Sequence, residues 1–161
     1  MYQGDCPKAR ILLDESLAIH HSIGNVIGTE TALVNLGYNE LHQGNPHNAL
    51  EYFKKGIEVS LKQGDREGVT YCLEGLAEIV GLYGEEPEDN GKSARLFGAA
   101  ATWRNILGTP LPPMDRTFYD RSMAAILPQL ENTLFATAWA EGQAMTLEEA
   151  VKVAVAHSSL V

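Results

Sequence analysis

The stretch LVNLGYNELHQGNPHNALEYFKKGIEVSL, residues 33–61, decides the fold. Leu33, Leu36, Gly37 and Leu41 fall at helical spacing and predict a helix over about 30–43. Gly44-Asn45-Pro46 then turns the chain. Asn45 suits an N-cap, and Pro46 suits the first helical position, where a missing N–H leaves nothing unsatisfied. Beyond the turn, Ala49, Phe53, Ile57 and Leu61 recur every four residues as one apolar stripe. Glu51, Lys54, Lys55, Glu58 and Lys62 fill the opposite side. Gly64-Asp65 closes the unit.

Outward from this unit the pattern recurs. Gly4, Gly44 and Gly84 lie 40 residues apart. Ala9 matches Ala49, Leu13 matches Phe53, and Leu17 matches Ile57 at the same offset. Gly24 likewise matches Gly64, Leu33 matches Leu73, and Leu36 matches Leu76. A fixed period in this range marks stacked repeats, in which no helix pair buries its stripe alone.

The residues Leu33-Val34-Asn35-Leu36-Gly37, then Gly44-Asn45, then Ala49-Leu50-Glu51-Tyr52-Phe53 resemble the tetratricopeptide repeat family, marked by W-x2-L-G-x2-Y and A-x3-F. Leu33 stands where that family prefers Trp, Glu40 where it prefers Tyr, and Leu61 where it prefers Pro. Without the proline, the second helix is expected to run on by about six residues, which accounts for the long period. A period of 40 also suits HEAT-type repeats; the Gly-Asn/Asp turn and the Ala-x3-Phe spacing favour the tetratricopeptide reading. The expected fold class is all-α, an α-α superhelix of such helix pairs closed by a C-terminal helical cap.

Two regions are expected. Residues 1–108 form the repeats, the first represented only by its second helix, over 5–21, with residues 1–5 as the last turn of that helix's lost partner. Residues 109–161 form capping helices. The second full unit starts near Val69 with Cys72, Leu73, Leu76, Ala77 and Val80. An acidic loop follows over 85–91, and then a helix phased from Ser93 through Phe97 and Ala100 to Gly108. Four extra residues fall in that loop. After the Pro110-Leu111-Pro112-Pro113 break, Asp115 is expected to cap a helix through Phe118, Tyr119, Met123 and Ile126. Leu134, Phe135, Ala138 and Trp139 make a second stripe, and Thr146-Leu147-Glu148-Glu149 is a capping box. These three helices are expected to cover the open end. At the other end, Ile11, Leu12, Leu13, Leu17 and Ile19 would leave part of their surface uncovered, which points to a fragment with repeats upstream or to a chain that hides this face in a homodimer.

Ser93–Ala100, Pro110–Pro113 and Ala138–Ala150 together resemble the carboxyl terminus of large bacterial transcriptional regulators of the LuxR or AfsR type. Those join a DNA-binding or cyclase domain and an NTPase module to a tetratricopeptide tail. The resemblance implies signal transduction or transcription regulation through protein contacts.

Of the 161 residues, 45% are apolar and 20% charged, the balance of a folded chain, and the net charge is -9. Such a surface repels phosphate backbones and excludes direct nucleic-acid binding. No apolar run reaches membrane-spanning length, and two distant cysteines, Cys6 and Cys72, read as reduced thiols, so a cytoplasmic chain is expected. His20 and His21 diverge on a helix, His42 and His47 lack a third ligand, and the 85–89 carboxylates lack calcium-loop spacing. Cys72 has no neighbouring base, and Trp103 and Trp139 read as core residues. No nucleophile pairs with a base and an orienting group, so no enzyme, cofactor or metal is expected.

The family resemblance implies a groove lined by the first helix of each pair. Its positions fall on Thr31, Val34, Asn35 and Tyr38, and on Tyr71, Glu74, Gly75 and Glu78. Glu74 and Glu78 have the wrong sign for gripping a peptide carboxylate, and a basic or apolar segment suits them better.

Overall fold

The computed structural model describes residues 6–129 and 131–156. Among them eight α-helices follow one another without a strand. The expected helical turn over residues 1–5 lies outside the described residues.

The first four helices, α1 (Cys6–Ser22), α2 (Val26–His42), α3 (Pro46–Gln63) and α4 (Arg66–Tyr83), begin every 20 residues. Gly24, Gly44 and Gly64 reverse the chain between them with φ of 67°, 76° and 70°, a left-handed backbone that suits glycine. Asn25 then caps α2 by accepting the Gly28 N–H, and Asp65 caps α4 by accepting those of Glu67 and Gly68. The 40-residue period is therefore two equal helix-turn units. The extra length expected in the second helix is shared, since α2 has 17 residues and α3 has 18. Consistent with this, α2 starts at Val26 rather than near 30.

Asn45 does not cap α3. Its side chain donates to Glu40 Oε2 at 3.2 Å, where Asn48 also donates at 2.9 Å. Glu40 is buried, and Arg10 of α1 pairs with its other oxygen while donating to the Tyr52 hydroxyl at 3.0 Å. The residue that departs from the family motif thus ties three helices together. Pro46 occupies the first position of α3 as expected.

Each helix packs on its sequence neighbours up to α5 (Asp89–Leu107). The core holds Leu36, Phe53, Leu73, Leu76, Leu96 and Phe97, all fully buried. Phe53 lies between α2 and α4: a Cβ on Gly37 or Gly75 would come within 2.7 or 2.3 Å of its ring. Leu61 is 48% exposed, because positions four apart drift about 40° per step around a helix and the stripe has rotated out by then. Buried Ser60 takes over the seam.

The insertion falls between α4 and α5, as expected. Gly84 has φ -70°, so it is not a left-handed turn like Gly44. The helix α5 starts at Asp89, inside the expected loop. Buried Asp89 accepts the Glu86 N–H at 2.9 Å, and its carboxylate complements the helix N-terminus. Ser93 donates to the Ala77 carbonyl at 2.7 Å, and Gly108 ends the helix with φ 68°.

Three more helices follow: α6 (Pro113–Ile126), α7 (Asn132–Gln143) and α8 (Leu147–Val155). Pro112, not Asp115, precedes the first turn of α6, and Asp115 lies within that turn. Along α5, α7 packs so closely that a Cβ on Gly98 would meet the Trp139 carbonyl oxygen at 2.4 Å. One on Gly142 would meet the Arg95 oxygen at 1.9 Å. Two of the three stretches that carried the second resemblance, 93–100 and 138–150, are thus the two sides of one backbone contact. Phe135 and Trp139 are half-buried, Ala138 is buried, and Leu134 is 56% exposed. Trp103, expected in the core, is also half-buried at its edge. The capping box of Thr146 and Glu149 is formed, and α8 buries Leu147, Ala150, Val151 and Ala154 against α4 and α5. The helix α6 lies against α4, on the face that α4 shares with α2.

Candidate functional site

The face shared by α2 and α4 is where the sequence places the groove. Val34, Asn35 and Tyr38 of α2 and Tyr71, Glu74 and Glu78 of α4 line one cavity. Thr31 lines the adjoining one. Gly75 is not on this face; it faces the Phe53 ring.

The groove already holds a helix. Leu111, Asp115, Phe118 and Tyr119 close the first cavity, leaving about 70 Å³. Small-molecule sites commonly hold about 300–1,000 Å³, so with α6 seated there is room for only a few waters. Phe118 stacks on His42, with centroids 4.3 Å apart. Tyr119 meets Phe97 edge to face at 5.2 Å. Ile126 is fully buried beneath Gly81. The outer side of α6 is solvated; Arg116 and Asp120 are both well exposed.

The two glutamates are not open charges. Arg104 of α5 grips Glu74 through two hydrogen bonds of 2.5 and 2.6 Å, and both side chains are buried. Burial raises the Glu74 carboxyl above its ordinary range, and the guanidinium pulls against that shift. The same guanidinium lies 4.2 Å over the Tyr71 ring. Burial also raises the Glu78 carboxyl, countered by a hydrogen bond from Ser122 and by the charge of Arg121, both on α6. His42 is pushed below its ordinary value by burial and then by Arg121. Tyr38 donates to the Tyr71 carbonyl at 3.2 Å, a link between α2 and α4.

Sequence reasoning missed Arg104, though a signal existed. Phe97, Ala100 and Arg104 recur at helical spacing on one face of α5, and a buried arginine there needs a carboxylate. It also missed α6 as the groove's occupant, which no local pattern encodes.

The other candidates stay apart. His20 covers Gly28, His42 turns to Phe118, and His47 is exposed. Cys72 is a buried free thiol, pushed well up by desolvation. Among the described residues no three His, Cys, Asp or Glu side chains are grouped to hold a metal ion. No helix among them is long and apolar enough to cross a membrane. The sequence model of the tetratricopeptide repeat family matches residues 1–62, which span α1, α2 and nearly all of α3. No curated protein and no solved structure matches the chain significantly.

Proposed function

We propose, taking the chain as the tetratricopeptide repeat protein that its residues 1–62 make it, that the α2–α4 face binds a helical segment of a partner protein. The reading is of a non-catalytic cytoplasmic interaction module. One observation carries it: α6 lies in the groove by its own apolar edge, Phe118, Tyr119 and Ile126, at helical spacing. Helix-in-groove recognition reads such anchors. The groove contacts are Val34, Asn35, Tyr38, Tyr71 and Glu78, with Glu74 acting through Arg104 and Tyr71 and with Thr31 at the rim.

A labelled peptide of residues 112–129, added to the full chain carrying Phe118→Ala and Tyr119→Ala, tests this. Binding is expected to be at least tenfold tighter than to the unaltered chain, whose groove is filled. Equal binding to both chains, or none to either, contradicts the reading.

A second surface supports a wider role. Ile11, Leu12, Ile19 and Ile23 are 58–68% exposed and share one side of the α1 region. We infer that another helix covers them, either a helix pair of a larger transcriptional or signalling regulator or α1 of a second copy. Sedimentation separates the two: a dimer dispersed by Ile11→Glu and Ile19→Glu supports the second copy, and a monomer at high concentration excludes it.

A further inference from the structure

Beside the cavity that α6 closes, towards the start of α4, the same face opens into a second cavity of about 370 Å³. Four carboxylates line it: Glu30 on α2, Asp65 at the cap of α4, Glu67 in its first turn, and Asp115 in the first turn of α6. Among the described residues no lysine or arginine lines it. Arg66, the nearest in sequence, lies over the Trp103 ring at 5.6 Å, and Arg104 is held by Glu74. Glu30 is 5% exposed, and its buried Oε2 has no hydrogen-bond partner. Desolvation raises that carboxyl to about 7, against a hydrogen bond from Ser60 that lowers it and with Asp65 and Glu67 adding to the rise. A buried carboxylate oxygen without a donor is costly, and the charges of Asp65 and Glu67 add to that cost.

We propose that this cavity receives one basic side chain, Arg or Lys, from the helix that binds in the groove. The proposal rests on the groove reading above. The cavity's other walls, Ile27, Thr31, Val34 and Tyr71, suit the aliphatic stem of such a side chain and not the hydration shell of a divalent ion. The register follows from α6. Its residue at this rim is Asp115, three before Phe118, so the chain's own helix puts a carboxylate where the site asks for a cation. A partner with Arg or Lys at that position therefore displaces α6, and the groove discriminates between its own helix and its true ligand.

The test uses the peptide of residues 112–129 and three variants of it on the Phe118→Ala, Tyr119→Ala chain. The Asp115→Arg peptide is expected to bind at least tenfold tighter than the parent, with Asp115→Asn between them. Asp120→Arg, which carries the same net charge on the exposed side of α6, is expected to gain less than threefold. Glu30→Gln with Glu67→Gln in the chain is expected to erase the Asp115→Arg advantage and to leave parent binding equal or tighter, since the repulsion on its own Asp115 is relieved. Equal binding of all four peptides overturns the cation site and leaves the groove standing. Equal gains from Asp115→Arg and Asp120→Arg overturn it too, as an effect of net charge. No binding by any peptide overturns both readings.

Discussion

Between α1 and α4 the helices meet through side chains: Phe53 lies against Gly37 and Gly75, and Cys72 against Gly56. Between α5 and α7 they meet through backbone, Gly98 under the Trp139 carbonyl and Gly142 under that of Arg95. The first kind of contact belongs to a ladder that repeats every 20 residues, and its neighbours can shift rotamers. The second is made once and has nothing flexible to move. A repeat array gains its tolerance from the first kind and its definite end from the second.

The largest effect is expected at the seam between the two regions. Arg104→Met leaves Glu74 buried without its cation and should lower stability by about 3–5 kcal/mol in chemical denaturation. Adding Glu74→Leu should restore most of that loss.

Next comes a direct contrast of the two kinds of contact. Gly142→Ala should cost about 3 kcal/mol, because its Cβ meets a carbonyl oxygen at 1.9 Å. In Gly56→Ala the neighbour is the Cys72 sulfur at 2.7 Å, a side chain, and the gain of about 1 kcal/mol in helix propensity offsets the shift. That variant should stay within about 1 kcal/mol of the parent. Similar losses in both would erase the distinction.

Smaller still is Glu30→Gln. The native Glu30 carboxyl sits at about 7 against an ordinary 4.5, so the folded state favours its protonated form. Stability from this group is whole below pH 4.5 and is lost as pH rises through 7. Glu30→Gln should therefore stabilise by about 1–3 kcal/mol at pH 8 and by nothing at pH 4. His42 has the opposite sign. Its lowered value favours the neutral ring, so its contribution is full above 6.5 and fades as pH falls. The smallest effect is Phe118→Ala, about 1 kcal/mol from one half-buried stacked ring. It should loosen α6, seen as faster amide exchange over 113–126 with α1 to α4 unchanged.

The ladder was legible because its signals are local. The Gly-Asn and Gly-Asp pairs at 24–25, 44–45 and 64–65 mark its turns, and Leu33, Leu36, Leu73, Leu76 and Phe53 mark its core. The 20-residue half-period stood in the same pairs but is hidden when only offsets of 40 are compared. Helix starts were less legible. Asn25 caps α2 eight residues before Leu33, the first apolar position of its predicted stripe, and Asn45 turns from capping to serve buried Glu40. The groove residues followed from the repeat's register. Their chemistry did not, because Glu74 is neutralised by a residue 30 positions away and the groove is filled by a helix from the terminal region. Such long-range choices are set by packing, which no periodicity records.

The seating of α6 is read most directly by nuclear Overhauser contacts in the intact chain at pH 7.5. Strong cross-peaks are predicted between the rings of His42 and Phe118, and between those of Phe97 and Tyr119. If both pairs are silent while the α6 amides exchange as fast as a free peptide, the groove is empty and the account built on its occupant is contradicted.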